Sequence, residues 1–150
     1  MFVAVIGMTS SNAIAQRNVQ PAFDPILEQD AKHNLDVAWQ AFGPARKAYK
    51  QVLLRFEETF AAYPEFSGMD EFLYLAGMSS YYLSRNEGKQ KVNLKNGRDR
   101  VRYAPERLRE DAVAYLSGLI EKYPETPRRA EAEKTLGLLK SETSASSKPN

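Results

Sequence analysis

The tripeptide Tyr-Pro-Glu occurs twice in this chain, at residues 63–65 and 123–125, which are 60 residues apart. At the same offset Phe56 corresponds to Leu116, and Gly77 corresponds to Gly137. Each copy follows a stretch whose apolar residues recur every three or four positions, and proline ends a helix because it lacks a backbone N–H. The chain is therefore predicted to contain an internal repeat of helix, turn and helix, in which neighbouring units bury each other's apolar faces.

Composition limits the chain to one domain and excludes several kinds of site. The 150 residues are 43% hydrophobic and 27% charged, which is enough apolar material for a single core. A net charge of +2 is too small to indicate a polyanionic partner. Because the chain has no cysteine, disulfides, thiolate metal sites and thiol nucleophiles are excluded.

No motif in the sequence indicates catalysis or a cofactor. His33 is the only histidine, and it has no second histidine or cysteine with which to form a metal site. Adjacent acids such as Glu57 and Glu58 diverge by about 100° on a helix, which is typical of a solvated face rather than of an acid/base pair. No glycine-rich phosphate loop or nucleophile elbow occurs. We therefore expect no enzyme activity, no metal and no cofactor.

The N-terminus has the pattern of a secretory signal. Residues 1–8 are almost wholly apolar, and Ala13-Ile14-Ala15 has the small-x-small pattern that signal peptidase cleaves. We predict a signal peptide over residues 1–15, cleavage after Ala15, a flexible lead over 16–23, and a periplasmic or exported protein. The alternative is a frayed N-terminus. A transmembrane helix is not expected, because spanning a bilayer needs about 20 apolar residues.

Proline and capping residues divide the region after the lead into helices. Asp24-Pro25 is typical of a helix start, Gly43-Pro44 separates the first helix from the second, and Pro64 ends the second. Ser67 and Asp70 form a capping pair for a third helix, which extends through Arg85. That helix is apolar on nearly every side, so it is predicted to lie at the centre of the fold.

Two further helices are predicted after the third. Ala104-Pro105 begins a fourth helix, and Thr126-Pro127 caps a fifth that ends near Lys140. The last ten residues, 141–150, are polar and contain no aromatic or branched aliphatic residue. They are predicted to be disordered, because burial cannot offset the entropy of ordering them.

The spacing within both copies of the repeat resembles that of the tetratricopeptide repeat (TPR). The second helix of such a unit has the pattern small-x3-aromatic-x2-small-x4-Pro. This chain has Val52-x3-Phe56-x2-Thr59-x4-Pro64 and Ala112-x3-Leu116-x2-Leu119-x4-Pro124. The Tyr-Pro ending, followed by Tyr74-Leu75-Ala76-Gly77 and Tyr81-Tyr82, is similar to an exported subgroup that includes BamD-like outer-membrane assembly lipoproteins and Tol-Pal-associated coiled-coil proteins. This chain departs from them in lacking a cysteine for a lipid anchor and in having two recognisable units.

The resemblance implies an all-α fold, in which antiparallel helix pairs form a short TPR-like α/α solenoid of about five helices over residues 24–140. It also implies a non-enzymatic protein–protein interaction or scaffold module of the bacterial cell envelope, which binds a protein partner through a helical groove or an inserted loop. The alternative is a structural accessory subunit that completes its core within a larger, membrane-associated assembly. Capped ends of the folded monomer favour the first function, and a bare apolar patch favours the second.

Residues 86–103 form an insertion between the repeat units. Asn96-Gly97 lies between two short alternating segments, which is typical of a β-hairpin, so a small hairpin is predicted near residues 89–103. Insertions in repeat proteins often lie on the binding face. We predict contact between this basic stretch and an acidic protein or lipid surface, the alternative being a solvated loop. The predicted contact residues are Lys89, Lys91, Lys95, Arg98, Arg100 and Arg102.

Three tyrosines of the third helix, Tyr74, Tyr81 and Tyr82, are also predicted to bind the partner, because they lie where repeat families line a groove. Core packing is the alternative, and helical position favours it. No nucleic-acid partner is expected, because Tyr103 is the only aromatic residue among the inserted cations. A small-molecule ligand is not expected either.

Overall fold

The computed structural model describes residues 23–146 of the chain, with side chains through Glu142. This part is all-α, as predicted, and within it there is no strand. It contains six helices: α1 (Pro25–Phe42), α2 (Tyr49–Ala62), α3 (Met69–Ser84), α4 (Gly97–Arg102), α5 (Pro105–Lys122) and α6 (Arg129–Ser146). The predicted signal peptide, its cleavage site and residues 147–150 of the tail lie outside the described residues.

The first helix begins where the sequence predicts. The Asp24 carboxylate accepts hydrogen bonds from the backbone N–H groups of Ile26 at 2.9 Å and Leu27 at 3.2 Å, and Pro25 occupies the first helical position. These bonds satisfy two of the donors that the first turn leaves unpaired, and a cap of this kind contributes about 1 kcal/mol.

The predicted capping pair of Ser67 and Asp70 is wrong. Helix α3 follows Gly68, and no side chain caps its N-terminus. The Ser67 hydroxyl instead donates to the carboxylate of Glu28 on α1, which also accepts from the Ser67 N–H at 3.4 Å. Glu28 is only 5% exposed, so its buried charge needs donors, and Ser67 meets that need in preference to a local cap.

Helix α3 lies at the centre of the fold and contacts α1, α2, α5 and α6. Its apolar residues are buried around the whole circumference, including Phe72 and Leu75, which have no exposed surface. This placement follows from its sequence, because a helix without a polar face must be covered on every side. Helix α1 packs on α2, and α5 packs on α6. All four helices also contact α3.

The two Tyr-Pro-Glu turns have the same backbone geometry. The Tyr63 N–H donates to the Thr59 carbonyl at 2.8 Å, and the Tyr123 N–H donates to the Leu119 carbonyl at 2.9 Å. Three residues on, the N–H of residue 66 bonds the carbonyl of residue 63, and that of residue 126 bonds the carbonyl of residue 123. Because the following proline has no N–H, the tyrosine is the last donor of each helix. The sequence repeat is therefore also a repeat of backbone structure.

The insertion differs from the predicted hairpin. Asn96 has an extended conformation with φ −78° and ψ 123°, and its side chain accepts from the N–H groups of Arg98 at 2.9 Å and Asp99 at 3.3 Å. Asn96 is thus the N-cap of the short helix α4, whereas a tight hairpin turn would need positive φ at Asn96 and Gly97. The hairpin prediction for residues 89–103 is therefore wrong, and α4 makes the described helices six rather than five.

Two helix boundaries also differ from those predicted. Helix α2 begins at Tyr49 rather than at Pro44, because Lys47 has a φ of 43°, which interrupts the helical backbone. Helix α6 continues to Ser146, beyond the predicted end near Lys140 and into the segment predicted to be disordered. No glycine or proline occurs between Leu138 and Ser146, and extending an existing helix costs little.

A close approach at Gly77 joins α3 to α5. A Cβ atom on Gly77 would lie 2.6 Å from both Cγ and Cδ2 of Leu116. Because Leu116 is fully buried, its side chain has little space into which to shift. At the equivalent position on α6, a Cβ atom on Gly137 would have no neighbour within 4 Å. The same glycine of the repeat is therefore packed in the first copy and open in the second.

These glycines form a matched pair for mutagenesis. We expect Gly77→Ala to lower the free energy of unfolding by about 1–3 kcal/mol, because the added methyl group overpacks the seam against Leu116. Gly137→Ala should leave it unchanged or raise it by up to about 1 kcal/mol, because alanine is the better helix former. Urea unfolding followed by circular dichroism measures both. Equal effects of the two substitutions would contradict the packing described at Gly77.

Candidate functional site

The insertion, residues 86–103, turns back from the end of α3 and lies against the start of α2. Asn86 and Gly88 have φ values of 54° and 89°, and together they reverse the chain. Only glycine fits at position 88, because a Cβ atom there would lie 2.7 Å from both the Lys47 carbonyl oxygen and Cδ2 of Tyr49. The backbone of the insertion therefore approaches the N-terminal end of α2 directly.

Hydrogen bonds to backbone groups at the start of α2 and in the loop before it hold the first half of the insertion in place. The Lys89 N–H donates to the Lys47 carbonyl at 3.0 Å, and the Lys89 ammonium donates to the Ala45 carbonyl at 2.7 Å. The side-chain oxygen of Gln90 accepts from the N–H of Gln51 at 3.1 Å. The Ala45 and Lys47 carbonyls belong to the loop between α1 and α2, and the Gln51 N–H, which also donates to the Ala48 carbonyl at 3.0 Å, belongs to the first turn of α2.

Asp99 anchors the second half. Its carboxylate accepts from the Lys50 ammonium at 2.7 Å and from the Asn93 N–H at 2.9 Å. The same ammonium donates to the Lys91 carbonyl at 2.8 Å, so one cation of α2 binds two points of the insertion. The hydrogen bond from Asn93 and then that from Lys50 lower the pKa of Asp99 below its usual value.

Tyr103 closes the insertion against the core. It is 8% exposed, and its ring lies under the Lys50 ammonium at 5.1 Å and beside the Arg102 guanidinium at 5.6 Å, measured to the ring centroid. Arg102 also forms an ion pair with Glu57 of α2. Burial raises the pKa of Tyr103. The aromatic residue of the insertion is thus part of the packed structure and does not offer a stacking surface.

The six predicted cations fall into two groups. Lys89, Lys91 and Arg102 bond within the chain, since the Lys91 ammonium donates to the Asn86 carbonyl at 2.8 Å. Lys95, Arg98 and Arg100 are exposed, and among the described residues no carboxylate forms an ion pair with any of them within 4 Å. The first group positions the insertion, and the second is available to a partner.

Two apolar side chains lie beside the available cations. Leu94 is 47% exposed, and Val101 on α4 is 69% exposed. We call the set of Leu94, Lys95, Arg98, Arg100 and Val101 the exposed tip. Positions 94, 98 and 101 are four and three residues apart, so within α4 Arg98 and Val101 lie on one face. The tip combines positive charge with apolar surface, and Asp99 and Tyr103 fix its base to α2.

The three predicted tyrosines lie mainly inside the fold. Tyr74 is 3% exposed and Tyr81 is 8% exposed, so their rings pack in the core, the alternative that helical position favours. Tyr82 is half-buried and stacks on Tyr49 with ring centroids 5.1 Å apart. Burial, and then a hydrogen bond to Glu131, raises the pKa of Tyr74. The structure does not bring these tyrosines together with the exposed tip.

Sequence reasoning missed Arg128, which covers part of this aromatic cluster. Its guanidinium lies 4.9 Å from the Trp39 ring centroid and 5.0 Å from that of Tyr74. The indole N–H of Trp39 donates to the Glu71 carboxylate at 2.7 Å. Arg128 is far from both aromatic residues in sequence, so no local pattern indicates the contact, which is a favourable cation–π interaction.

Between residues 23 and 146 the structure shows neither a metal-binding cluster nor a helix suited to span a membrane. No group of three or more His, Asp or Glu side chains in this part of the chain is arranged to hold a metal ion. His33 is exposed on α1. Of the helices in the same part, none has the length and apolar character needed to cross a bilayer.

Comparison with protein-family models, with curated proteins and with solved structures found no match to this chain.

The anchoring of the insertion by Asp99 is testable by proteolysis. Asp99→Asn removes the charge that binds Lys50, and we expect opening of the insertion to become about fivefold more frequent, which corresponds to about 1 kcal/mol. Trypsin cleavage after Lys91, Lys95 and Arg98 should accelerate by the same factor, with little change in the melting temperature. Asp36→Asn, at an exposed position on α1, is the control. Unchanged cleavage in the Asp99 variant would refute the anchor.

The lowered pKa of Asp99 predicts that the anchoring of the insertion depends on pH. The pKa of Asp99 is lowered in the folded protein. The stability that its carboxylate gives to the insertion is therefore fully present above the usual carboxyl pKa of about 4, and it is lost as the pH falls through the lower folded value. The amide resonance of Asn93 should therefore shift below about pH 4, toward the position seen in the Asp99→Asn variant at neutral pH. A resonance that titrates at or above the usual carboxyl pKa would contradict the lowered value.

Proposed function

We propose that this chain is a non-enzymatic protein-interaction module of the bacterial cell envelope, which presents the exposed tip of its insertion to an acidic surface of a partner protein. The observation that carries the proposal is the division of the inserted cations. Lys89, Lys91 and Arg102 bond inward, while Lys95, Arg98 and Arg100 face solvent without an ion pair in the described part of the chain. A positioned group of cations loses less entropy on binding than a flexible loop does.

We infer that the scaffold of this module is a short TPR-like α/α solenoid. Support comes from the two Tyr-Pro-Glu turns, which have the same hydrogen bonds, and from α3, which packs against helices on both sides of it in sequence. In solenoids each unit contacts its neighbours only, and insertions project from one face. The spacing of residues 52–64 and 112–124, which resembles the tetratricopeptide pattern, supports the same arrangement.

A protein surface suits the tip better than a lipid or nucleic-acid surface. Recognition of anionic lipid by charge alone typically uses clusters of four to eight cations, and the tip has three. Binding of single-stranded nucleic acid uses exposed aromatic rings, whereas Tyr103 is buried beneath Lys50. Leu94 and Val101 add the apolar area that is typical of the centre of a protein interface.

A second candidate function is that of a structural subunit within a larger assembly, and a specific observation favours it. Phe23 and Ile26, at the start of α1, are 69% and 72% exposed, and Phe60 on α2 is 46% exposed. Large exposed apolar side chains are typical of a surface that another subunit covers. Phe23 and Ile26 lie at the start of the helical array, whereas Phe60 lines a groove with Tyr115 of α5. On α6 charged residues such as Glu133 and Lys134 are exposed, together with Leu138, which is 43% exposed.

Charge reversal tests the tip. Lys95→Glu, Arg98→Glu and Arg100→Glu, introduced together, should lower cross-linked capture of the partner from envelope extracts at least about tenfold, because like charges then face each other. The matched control reverses three cations elsewhere, at Arg46, Lys122 and Lys134, all exposed. Equal capture by the tip variant and the wild type would refute the site. Loss of binding to anionic vesicles, without loss of a protein partner, would favour lipid.

Export is tested separately. We expect intact-mass analysis of the protein from its native cell to give a chain that begins at Gln16, and fractionation to place it in the periplasm. Retention of residues 1–15 together with a cytoplasmic location would refute the envelope assignment. It would leave the protein-binding role of the tip open to the capture experiment.

A further inference from the structure

The repeat makes the N-terminal halves of α2 and α5 equivalent surfaces. At the offset of 60 residues, Tyr49, Lys50 and Leu53 correspond to Arg109, Glu110 and Val113. On α2 this surface is covered by the insertion: Gly88 lies against the Tyr49 ring, and Asp99 binds Lys50. Leu53 and Tyr103 line one small cavity beneath it. Tyr49 is 6% exposed, since the Phe42 and Tyr82 rings also pack on it, and Leu53 is 5% exposed, since Leu108 and Tyr115 of α5 line the same cavity.

On α5 the equivalent surface is open. Val113 is 38% exposed, compared with 5% for Leu53. A groove of about 660 Å³ lies between α5 and α6, with Val113, Ala114 and Leu139 forming its apolar part. The second unit therefore has the equivalent of the surface that the insertion and α5 cover in the first unit, and within the described residues its Val113 stays partly exposed.

The charge of this groove is opposite to that of its counterpart. Three carboxylates, those of Glu106, Glu110 and Glu142, and one guanidinium, that of Arg109, line it. Glu106 pairs with Arg109 at 3.1 Å, and Glu142 pairs with Arg85 at 2.7 Å. Glu110 is exposed and has no ion pair within 4 Å among the residues that the structure describes. Where Lys50 of α2 binds a carboxylate, the same position of α5 presents a carboxylate.

We propose that the groove between α5 and α6 is a second binding site, which takes a basic, amphipathic segment of a partner protein. A lysine or arginine of that segment pairs with Glu110, and an apolar or aromatic side chain packs on Val113, as Tyr103 lies beside Leu53 in the first unit. The chain's own insertion shows that a short segment can lie on the equivalent surface of α2, where its contact to Lys50 is a carboxylate rather than a cation. The site is independent of the exposed tip, because the two surfaces attract partners of opposite charge.

A peptide with the sequence of residues 89–103, KQKVNLKNGRDRVRY, is a suitable probe for the full-length protein. We expect it to bind with an affinity that falls as salt rises, and to bind Glu110→Lys at least tenfold more weakly, as measured by fluorescence anisotropy. Val113→Asn should weaken it several-fold. Glu121→Lys, which makes the same charge change at another exposed position of α5, should leave the affinity unchanged. Unchanged circular dichroism spectra and melting temperatures show that each variant is folded.

Three outcomes would overturn the proposal. The first is equal peptide affinity for Glu110→Lys and the wild type. The second is equal binding of a peptide whose lysines and arginines are replaced by glutamate. The third is a salt-sensitive dimer in sedimentation equilibrium that Glu110→Lys abolishes while the peptide does not bind, which would assign the groove to a second copy of the chain. The wild-type peptide should still bind a full-length protein in which Lys95, Arg98 and Arg100 are changed to glutamate. Failure of the tip and failure of the groove are therefore distinguishable.

Discussion

The packing of α5 on α3 at Gly77 is the contact on which the rest of the structure depends. Because this glycine has no side chain, Leu116 lies against the backbone of α3, and two helices separated by the whole insertion become neighbours. Residues 86–103 must then leave the end of α3 and return to the start of α5 without passing between them. They lie instead over the N-terminal half of α2, where Lys50 and backbone carbonyl groups hold them.

This arrangement holds the charged insertion in a fixed position on α2. Asp99, Lys89 and Arg102 form the contacts to the loop before α2 and to α2 itself, so the cations between them are displayed from a fixed base. The repeat also allows a comparison with the second unit, where Val113 is 38% exposed and the equivalent Leu53 is 5% exposed. The insertion lies on the first of two equivalent helical surfaces, and the second differs from it in charge, with Lys50 and Glu110 at equivalent positions.

Much of the helical framework could be predicted from local sequence signals. Asp24 before Pro25, and proline after Tyr63 and Tyr123, act within one turn of the chain, and the structure has helix boundaries at each of them. Prediction fails where a distant residue competes for a side chain. Ser67 bonds Glu28, which is 39 residues away, and the bond between Asp99 and Lys50 spans 49 residues. Asn96-Gly97 has the composition of a hairpin turn, but no strands accompany it within the described residues, and Asn96 caps α4. The basic character of the site was thus predictable, while its attachment to α2 was not.

Residue-resolved amide hydrogen exchange tests most directly whether the insertion is held in place. The amides of Lys89 and Asn93 donate to Lys47 and Asp99, so we expect each to exchange at least about tenfold more slowly than an unstructured amide of the same sequence. Exchange of both amides at the unstructured rate, while α2 and α3 remain protected, would show that the insertion is a mobile loop and would contradict the account.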